Sequence, residues 1–269
     1  MTASIQARRE RFHDLHRSGC FVLPNAWDAA SAALMSDGGA KAVATSSAAV
    51  AWSLGYPDGD ALPVAQAVAV IADRARASKV PLTADIEGGY TDDLAVLAET
   101  IKAVVGAGAV GINLEDGTRD PDLHARKVEA ARKAADQAGV NLFINARTDV
   151  YLKGLAQGAA ATAESLRRAA LYRSAGASGI FVPFVREPDE IRELAAGVGL
   201  PLNVIAMPGL GKASDLQALG VRRLSSGTAL FRAAFGPLAK AVEAYLRDGD
   251  PAALMPLGEG TPNFNKRFG

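Results

Sequence analysis

The sequence predicts one α/β domain: a (β/α)8 barrel of the TIM type, with an extra N-terminal helix and a further C-terminal helix. Three observations predict it. Eight short apolar runs recur along the chain, amphipathic segments separate them, and no linker or composition shift divides the 269 residues. Runs that are apolar on both faces suit parallel strands covered by helices. Barrels of this kind commonly reach such a length as one unit. The domain is expected to span residues 1–269, with 249–269 as a polar C-terminal tail.

The first stretch, MTASIQARRERFHDLHRSG, is charged and helix-like, without the apolar core of a signal peptide. The first four apolar runs are CFVLPNAW (20–27), AVATSS (42–47), VPLTADIE (80–87) and AVGINLED (109–116). The next four are NLFINARTD (141–149), SGIFVPFV (178–185), LPLNVIAMP (200–208) and VRRLSSG (221–227). Between them lie helix-like segments such as ALPVAQAVAVIADRARA, DDLAVLAETIKAVVGAG and ATAESLRRAALYRSAG. Gly108, Gly139, Gly176 and Gly220 stand just before a strand, where a left-handed residue ends a helix. The main rival is a doubly wound open sheet, which usually carries a Gly-rich phosphate turn after its first strand. Here that strand ends PNAWDAAS, with no glycine. The barrel is the better reading. Residues 228–246 read as an apolar-faced helix, followed by a tail with Phe264 and Phe268. That face must be covered by its own barrel or by a neighbour.

Composition excludes several classes of function. The formal net charge is zero, so nothing marks a nucleic-acid or anionic-membrane partner. No apolar stretch approaches the ~20 residues that span a bilayer. The single cysteine, Cys20, allows no internal disulfide and suits a reducing cytosol. A cytoplasmic enzyme or binding protein is expected.

Barrel enzymes carry their chemistry at the C-terminal ends of the strands. Those ends are Ser46-Ser47, Asp85/Glu87, Asn113/Glu115/Asp116, Asn145/Arg147/Asp149, Asn203 and Ser225-Ser226. Side chains alternate across a strand, so Asp85 and Glu87 are expected to share a face, as are Asn113 and Glu115, and Asn145 and Arg147. If each set faces the barrel axis, three carboxylates and a guanidinium meet in one mouth. Adjacent carboxylates repel unless a cation or protons intervene. An all-oxygen site with room for water and substrate suits Mg²⁺, with Mn²⁺ a substitute. Arg147 would offer a planar fork to a substrate carboxylate or phosphonate. The plainer alternative is that Glu115 and Arg147 pair across neighbouring strands and only stabilise the rim.

The pieces LPNAWDAASAAL, TSSAAVAWSLGYPDGD, PLTADIEGGY, VGINLEDG, NARTD and GASGIFVP, in this order and spacing, resemble the isocitrate lyase/phosphoenolpyruvate mutase superfamily. The resemblance covers about residues 20–245. It implies a Mg²⁺-dependent barrel that acts on 2-oxo acids by way of an enolate. By position, it implies Asp85 as the direct metal ligand, with Asp58, Glu87 and Glu115 acting through water. Glu87 stands where relatives usually carry Asp. Ser46, Ser47 and Ala48 resemble the turn that binds the substrate's carboxylate or oxo group. Arg147 matches a substrate-binding arginine, Trp27 an aromatic beside the ligand, and Asn203 an asparagine of the seventh strand. The resemblance also implies a homotetramer, or a dimer, with exchanged C-terminal helices.

The departures narrow the reaction. The lyases carry a Cys-Gly-His stretch after strand four, where this chain reads EDGTRDPDLHARK without cysteine. Many also have a Pro-Glu pair after strand six, where this chain has Pro183-Phe184. Standard isocitrate or methylisocitrate cleavage is therefore not expected. The expectation is a lyase or decarboxylase for a small 2-oxo carboxylate, with phosphonomutase or phosphonopyruvate hydrolase chemistry as the alternative. A barrel that binds a 2-oxo acid without turnover is the reading from another class. Three weaker signals remain. His124 could shuttle protons or sit on a solvated surface. The segment MPGLGK (207–212) reads as a flexible loop, and Ser225-Ser226-Gly227 as a phosphate turn or a helix cap.

Overall fold

The computed structural model describes residues 4–269. Strands β1 (Phe21–Leu23) and β2 (Asn25–Ala26) are one strand interrupted at Pro24, which has no N–H to give to a ladder. Then follow β3 (Val43–Thr45), β4 (Leu82–Asp85), β5 (Gly111–Glu115), β6 (Phe143–Arg147), β7 (Gly179–Phe181), β8 (Leu202–Ile205) and β9 (Arg223–Ser225). All pairings are parallel, in the order β1-β9-β8-β7-β6-β5-β4-β3-β2. The two halves of the first strand thus hold the two ends of the sheet, and the barrel nearly closes. Each of the eight apolar runs supplies one strand position.

The helices are α1 (Ile5–Asp14), α2 (Ala29–Asp37), α3 (Ser47–Ser53), α4 (Val64–Ala77), α5 (Leu94–Gly106) and α6 (Pro121–Gln137). They continue with α7 (Ala159–Ser174), α8 (Pro188–Gly197), α9 (Ala213–Ala218), α10 (Ala229–Asp248), α11 (Met255–Gly258) and α12 (Phe264–Phe268). The four glycines expected to end helices all have positive φ, from 68° at Gly139 to 98° at Gly108 and Gly176. A Cβ would be strained there.

Two cores hold the barrel. The larger lies between the sheet and the outer helices, built from residues such as Ile112, Leu114, Ile144 and Ile180. The smaller plugs the N-terminal end, where α1 brings Phe12 against Phe21 and Phe143, with ring centroids 6.4 and 5.4 Å apart. His16 stacks on Phe143 at 3.9 Å. Among the described residues these side chains seal the N-terminal end, and the C-terminal mouth stays open.

The tail is less free than its composition suggests. Arg267 in α12 pairs with Asp37 at the end of α2 and donates to the Ala77 carbonyl at 2.8 Å. On α10, Leu230, Phe235, Leu238, Val242, Tyr245 and Leu246 are exposed. Among the described residues no helix is long and apolar enough to cross a membrane.

Candidate active site

At the C-terminal mouth lies a cavity of about 440 Å³, lined in part by Ser46, Ser47, Ala48, Asp58, Asp85 and Arg147. Asp85 ends β4 and Arg147 ends β6, while Ser46, Ser47 and Ala48 begin α3 just after β3 and Asp58 lies in the loop between α3 and α4. Register explains the floor. Asp85 pairs with Asn113, Asn113 with Asn145, and Asn203 with Arg223, so a polar layer crosses the barrel beneath the cavity. Asn145 donates from Nδ2 to Asn113 Oδ1 at 2.9 Å and to Asn203 Oδ1 at 3.1 Å. Asn203 is buried and gives its own amide to the carbonyls of Val204 and Arg223. It belongs to the floor rather than to the cavity wall.

Asp85 ends β4. Its N–H donates to Thr45 Oγ1 at 2.8 Å, and its carboxylate accepts from the Glu87 N–H at 3.2 Å. Among the described residues, Asn113 Nδ2 at 3.5 Å is the one side chain that hydrogen-bonds to it. Burial pushes this carboxyl above the usual range, Arg147 pulls it down, and Asp58 adds to the rise. A costly, nearly unpartnered carboxylate facing a cavity suits a cation.

Glu87 does not share the face of Asp85, contrary to the alternation expected over 85–87. The strand ends at Asp85, and Glu87 has φ 53°, in the left-handed region. Its carboxylate swings to the backbone N–H groups of Gly59, at 2.8 Å, and Asp60. Oε1 stays buried without a partner, and burial pushes the group up to about 7. Asp60 (φ 59°) and Tyr90 (φ 61°) are left-handed too, and Asp60 accepts from the Gly88 and Tyr90 N–H groups. Strain of this kind persists where surrounding contacts over-determine it. Here the contacts fix the 58–60 segment, which places Asp58 at the mouth.

Arg119 joins the same cluster. It donates to Asp60 Oδ2 at 2.6 Å and to Asp92 Oδ1 at 2.9 Å, and the buried Lys127 reaches Asp92 at 2.7 Å. The segment after β5 is thereby tied down. It is also short, because α6 begins at Pro121 with Asp120 as its cap.

Glu115 pairs with Arg147, Oε2 to Nη1 at 2.6 Å, as the rim reading expected. Arg147 is also gripped by Asp149, which accepts from Nε at 2.6 Å and from Nη2 at 3.1 Å. Asp149 is in turn held by its N–H, which donates to Asp116 Oδ1 at 2.8 Å. Asp116 accepts from Arg168 and from the Tyr172 hydroxyl. The two hydrogen bonds to Asp149 use two of the five guanidinium N–H groups, and with Nη1 ion-paired to Glu115 the guanidinium still has N–H groups to offer the cavity that it lines. The pair is thus a support for Arg147 as well as a rim contact.

At the other wall, Ser46 caps α3 by accepting from the Ala49 N–H at 3.4 Å. The Ser47 and Ala48 N–H groups, in the first turn, have no partner among the described residues. Trp27 is not brought to the cavity. Its ring meets Phe231 of α10 at 5.4 Å and its carbonyl accepts from Arg74. The tryptophan that lines the cavity is Trp52, from α3. The Ser225-Ser226-Gly227 turn spends its Ser226 and Gly227 N–H groups on Asn25 Oδ1, both at 3.0 Å, so it is no free phosphate cradle. Asn113, expected as a polar strand end, lines the cavity; Asn25, Trp52, Arg186 and Arg232 do so without having been expected there. Asn25 was findable as a polar strand end. The others lie on a helix or loop.

His124 is neither solvated nor near the cavity. It is fully buried, edge-on to Tyr172 at 4.6 Å, with neither ring nitrogen hydrogen-bonded to a side chain. Burial, aided by Lys127, Arg119 and Arg168, pushes it down to about 3, and burial does the same to His16. An unfolded histidine titrates near 6.5. The unfolded chain therefore takes up protons that these two buried imidazoles refuse, so their contribution lowers stability as pH drops below about 6.5. Between pH 7 and 5 each histidine should cost about 2 kcal/mol. Burial pushes the Glu87 carboxyl up to about 7 and raises Glu115 as well, which acts in the opposite sense over this range, so the histidine contribution is read by difference. In urea unfolding, His124→Leu should gain about 2 kcal/mol on wild type between pH 7 and 5, and a difference that does not change with pH would refute this.

A family model described as phosphoenolpyruvate phosphomutase matches residues 12–246. An uncharacterised protein of Mycobacterium tuberculosis is 38% identical over 244 residues, covering 89% of this chain and 90% of that one. An oxaloacetate decarboxylase of Pseudomonas entomophila is 29% identical over 240 residues, covering 86% and 82%. A crystal structure from Burkholderia cenocepacia J2315, provisionally described as a phosphonomutase, superposes with TM-score 0.85. It is 39% identical, and the match covers 90% of this chain and 99% of that one.

Proposed function

We propose, from the premise that this chain belongs to the phosphoenolpyruvate mutase/isocitrate lyase superfamily, that it is a Mg²⁺-dependent lyase or decarboxylase for a small 2-oxo carboxylate. Membership makes it an enzyme of the lyase/mutase type; the metal, substrate and reaction are our reading. One observation carries that reading: Arg147, clamped by Glu115 and Asp149, faces the same cavity as Asp85 and the Ser46-Ser47-Ala48 turn.

The donor set fits a hard cation. Asp85 and Asp58 offer carboxylate oxygens to one cavity, and among the described residues no three His, Cys, Asp or Glu side chains gather as a cage. Mg²⁺ commonly takes one or two carboxylates and fills its remaining positions with water and substrate. Mn²⁺ could substitute. Asp85 would hold the ion directly, with Asp58 and Glu115 reached through water. Glu87 would act by fixing the 58–60 segment. When bound, the ion would supply the positive charge that an enolate oxygen needs.

The chain's own residues do the rest. Arg147 orients the carboxylate through its remaining N–H groups, and the Ser47 and Ala48 N–H groups meet the opposite oxygens. Asn25 and Asn113 fill the floor and exclude water. When a carboxyl group on C3 leaves as CO₂, the C–C electron pair passes to the enolate, and no acid is needed on the leaving fragment. That suits a mouth whose segment 116–120 has no thiol. The similarity to an oxaloacetate decarboxylase supports this order of preference. Phosphonopyruvate chemistry comes second, supported by the description of the matching family model.

The test is to incubate the protein and Mg²⁺ with oxaloacetate, phosphonopyruvate and substituted malates. At least one should be consumed faster than with Asp85→Ala. Binding of these acids without consumption over hours would leave a binding barrel and sink the enzyme reading. The reading also covers the exposed α10 face with a second copy, as a homo-oligomer. Light scattering should show more than a monomer at micromolar concentration; a monomer would remove that part.

A further inference from the structure

The cavity holds two arginines that head-group binding does not use. Arg186 follows β7 in the segment Pro183-Phe184-Val185-Arg186, and Arg232 lies in the first turn of α10. Both line the cavity that Asp85 and Arg147 line. The Arg232 guanidinium sits over the Trp52 ring at 5.7 Å, and its Nε lies 3.4 Å from Thr228 Oγ1. Arg186 makes no ion pair or side-chain hydrogen bond among the described residues, although acidic Glu187 and Asp189 follow it.

Charge separates the two ends of the cavity. At the deep end a divalent ion would balance Asp58 and Asp85, while Glu115 and Asp149 already balance Arg147. At the outer end no carboxylate among the described residues forms an ion pair with Arg186. Leu152, Phe181, Phe184, Ile205 and Met207 form an apolar wall of the same cavity. Phe184 has φ 69°, strained for a bulky residue, while Pro183 and Val185 on either side are buried. The buried neighbours hold the turn in a shape that leaves both Phe184 and Arg186 at the cavity. A volume of about 440 Å³ also exceeds what a three-carbon acid fills.

We infer that Arg186 is a specificity-determining residue that contacts an anionic group at the far end of the substrate, across an apolar link, in addition to the head group that Arg147 holds and distinct from any carboxyl group that leaves. The inference rests on the proposed function and extends it to substrate class. An arginine holding a carboxylate due to leave as CO₂ would stabilise the ground state and slow its loss. The group that Arg186 contacts is therefore one that keeps its charge.

Calorimetry with Mg²⁺ tests this with three probes: oxalate, 2-oxoglutarate and the chain-matched monoacid 2-oxovalerate. Wild type should bind the diacid at least about tenfold more tightly than the monoacid, the scale of one charged hydrogen bond. Arg186→Gln should bring that ratio close to one and leave oxalate affinity within about twofold; Arg186→Lys should restore part of the ratio. Arg186 is exposed, so these variants should fold, and circular dichroism checks that. A ratio unchanged in Arg186→Gln, or already near one in wild type with oxalate bound, overturns this inference alone. Failure of wild type to bind oxalate overturns the proposed function and this inference together.

Discussion

Asp85→Asn should lose Mg²⁺ affinity by more than the roughly 10–100-fold that follows loss of a residue supporting a metal ligand. The substitution keeps the shape of the side chain and one oxygen, but removes the charge that faces the cation. The fold should not suffer. Asp85 is a buried carboxylate that accepts from the Glu87 N–H at 3.2 Å and, among the described side chains, from Asn113 at 3.5 Å, so burial outweighs the pull of Arg147 and its charge is costly in the metal-free protein. Metal-free Asp85→Asn should therefore melt at or above the wild-type temperature, while added Mg²⁺ should stabilise wild type only, because binding to the native state alone raises stability. Titration calorimetry and thermal melts with and without Mg²⁺ read both effects. Equal Mg²⁺ affinity in the two proteins would remove Asp85 as the main ligand.

Arg147→Lys should fail despite conserving charge. The guanidinium reaches Glu115 at 2.6 Å with Nη1 and Asp149 at 2.6 and 3.1 Å with Nε and Nη2, while still facing the cavity. A lysine has one nitrogen and no planar fork, so it cannot hold both carboxylates and the substrate. Leaving one of them buried and unpaired should cost about 3–5 kcal/mol of stability. Losing a charge-assisted contact to the substrate should weaken binding of a 2-oxo acid by about 10–100-fold. Full activity at wild-type stability in Arg147→Lys would show that the fork is not used.

The sequence by itself determined the strands, the helix ends and part of the site. Apolar runs and period-two alternation are properties of the extended backbone, legible wherever the strand is regular. Hence Asn113 with Glu115, and Asn145 with Arg147, could be assigned to one face, and Gly108, Gly139, Gly176 and Gly220 to left-handed helix ends. Alternation stops where the strand stops. Glu87 stands two residues beyond Asp85, yet one left-handed φ sends its carboxylate to Gly59 and Asp60. No local pattern of apolar residues reports that angle. Trp27 and His124 failed for another reason: whether a ring meets solvent, a cavity or a neighbouring helix depends on how α10 and α7 pack over it. Tertiary structure also decided that Trp52, Arg186 and Arg232, which follow different strands, line one cavity with Asp85. Their meeting comes from closure of the barrel and from loop conformations fixed by long-range contacts, which sequence spacing does not encode.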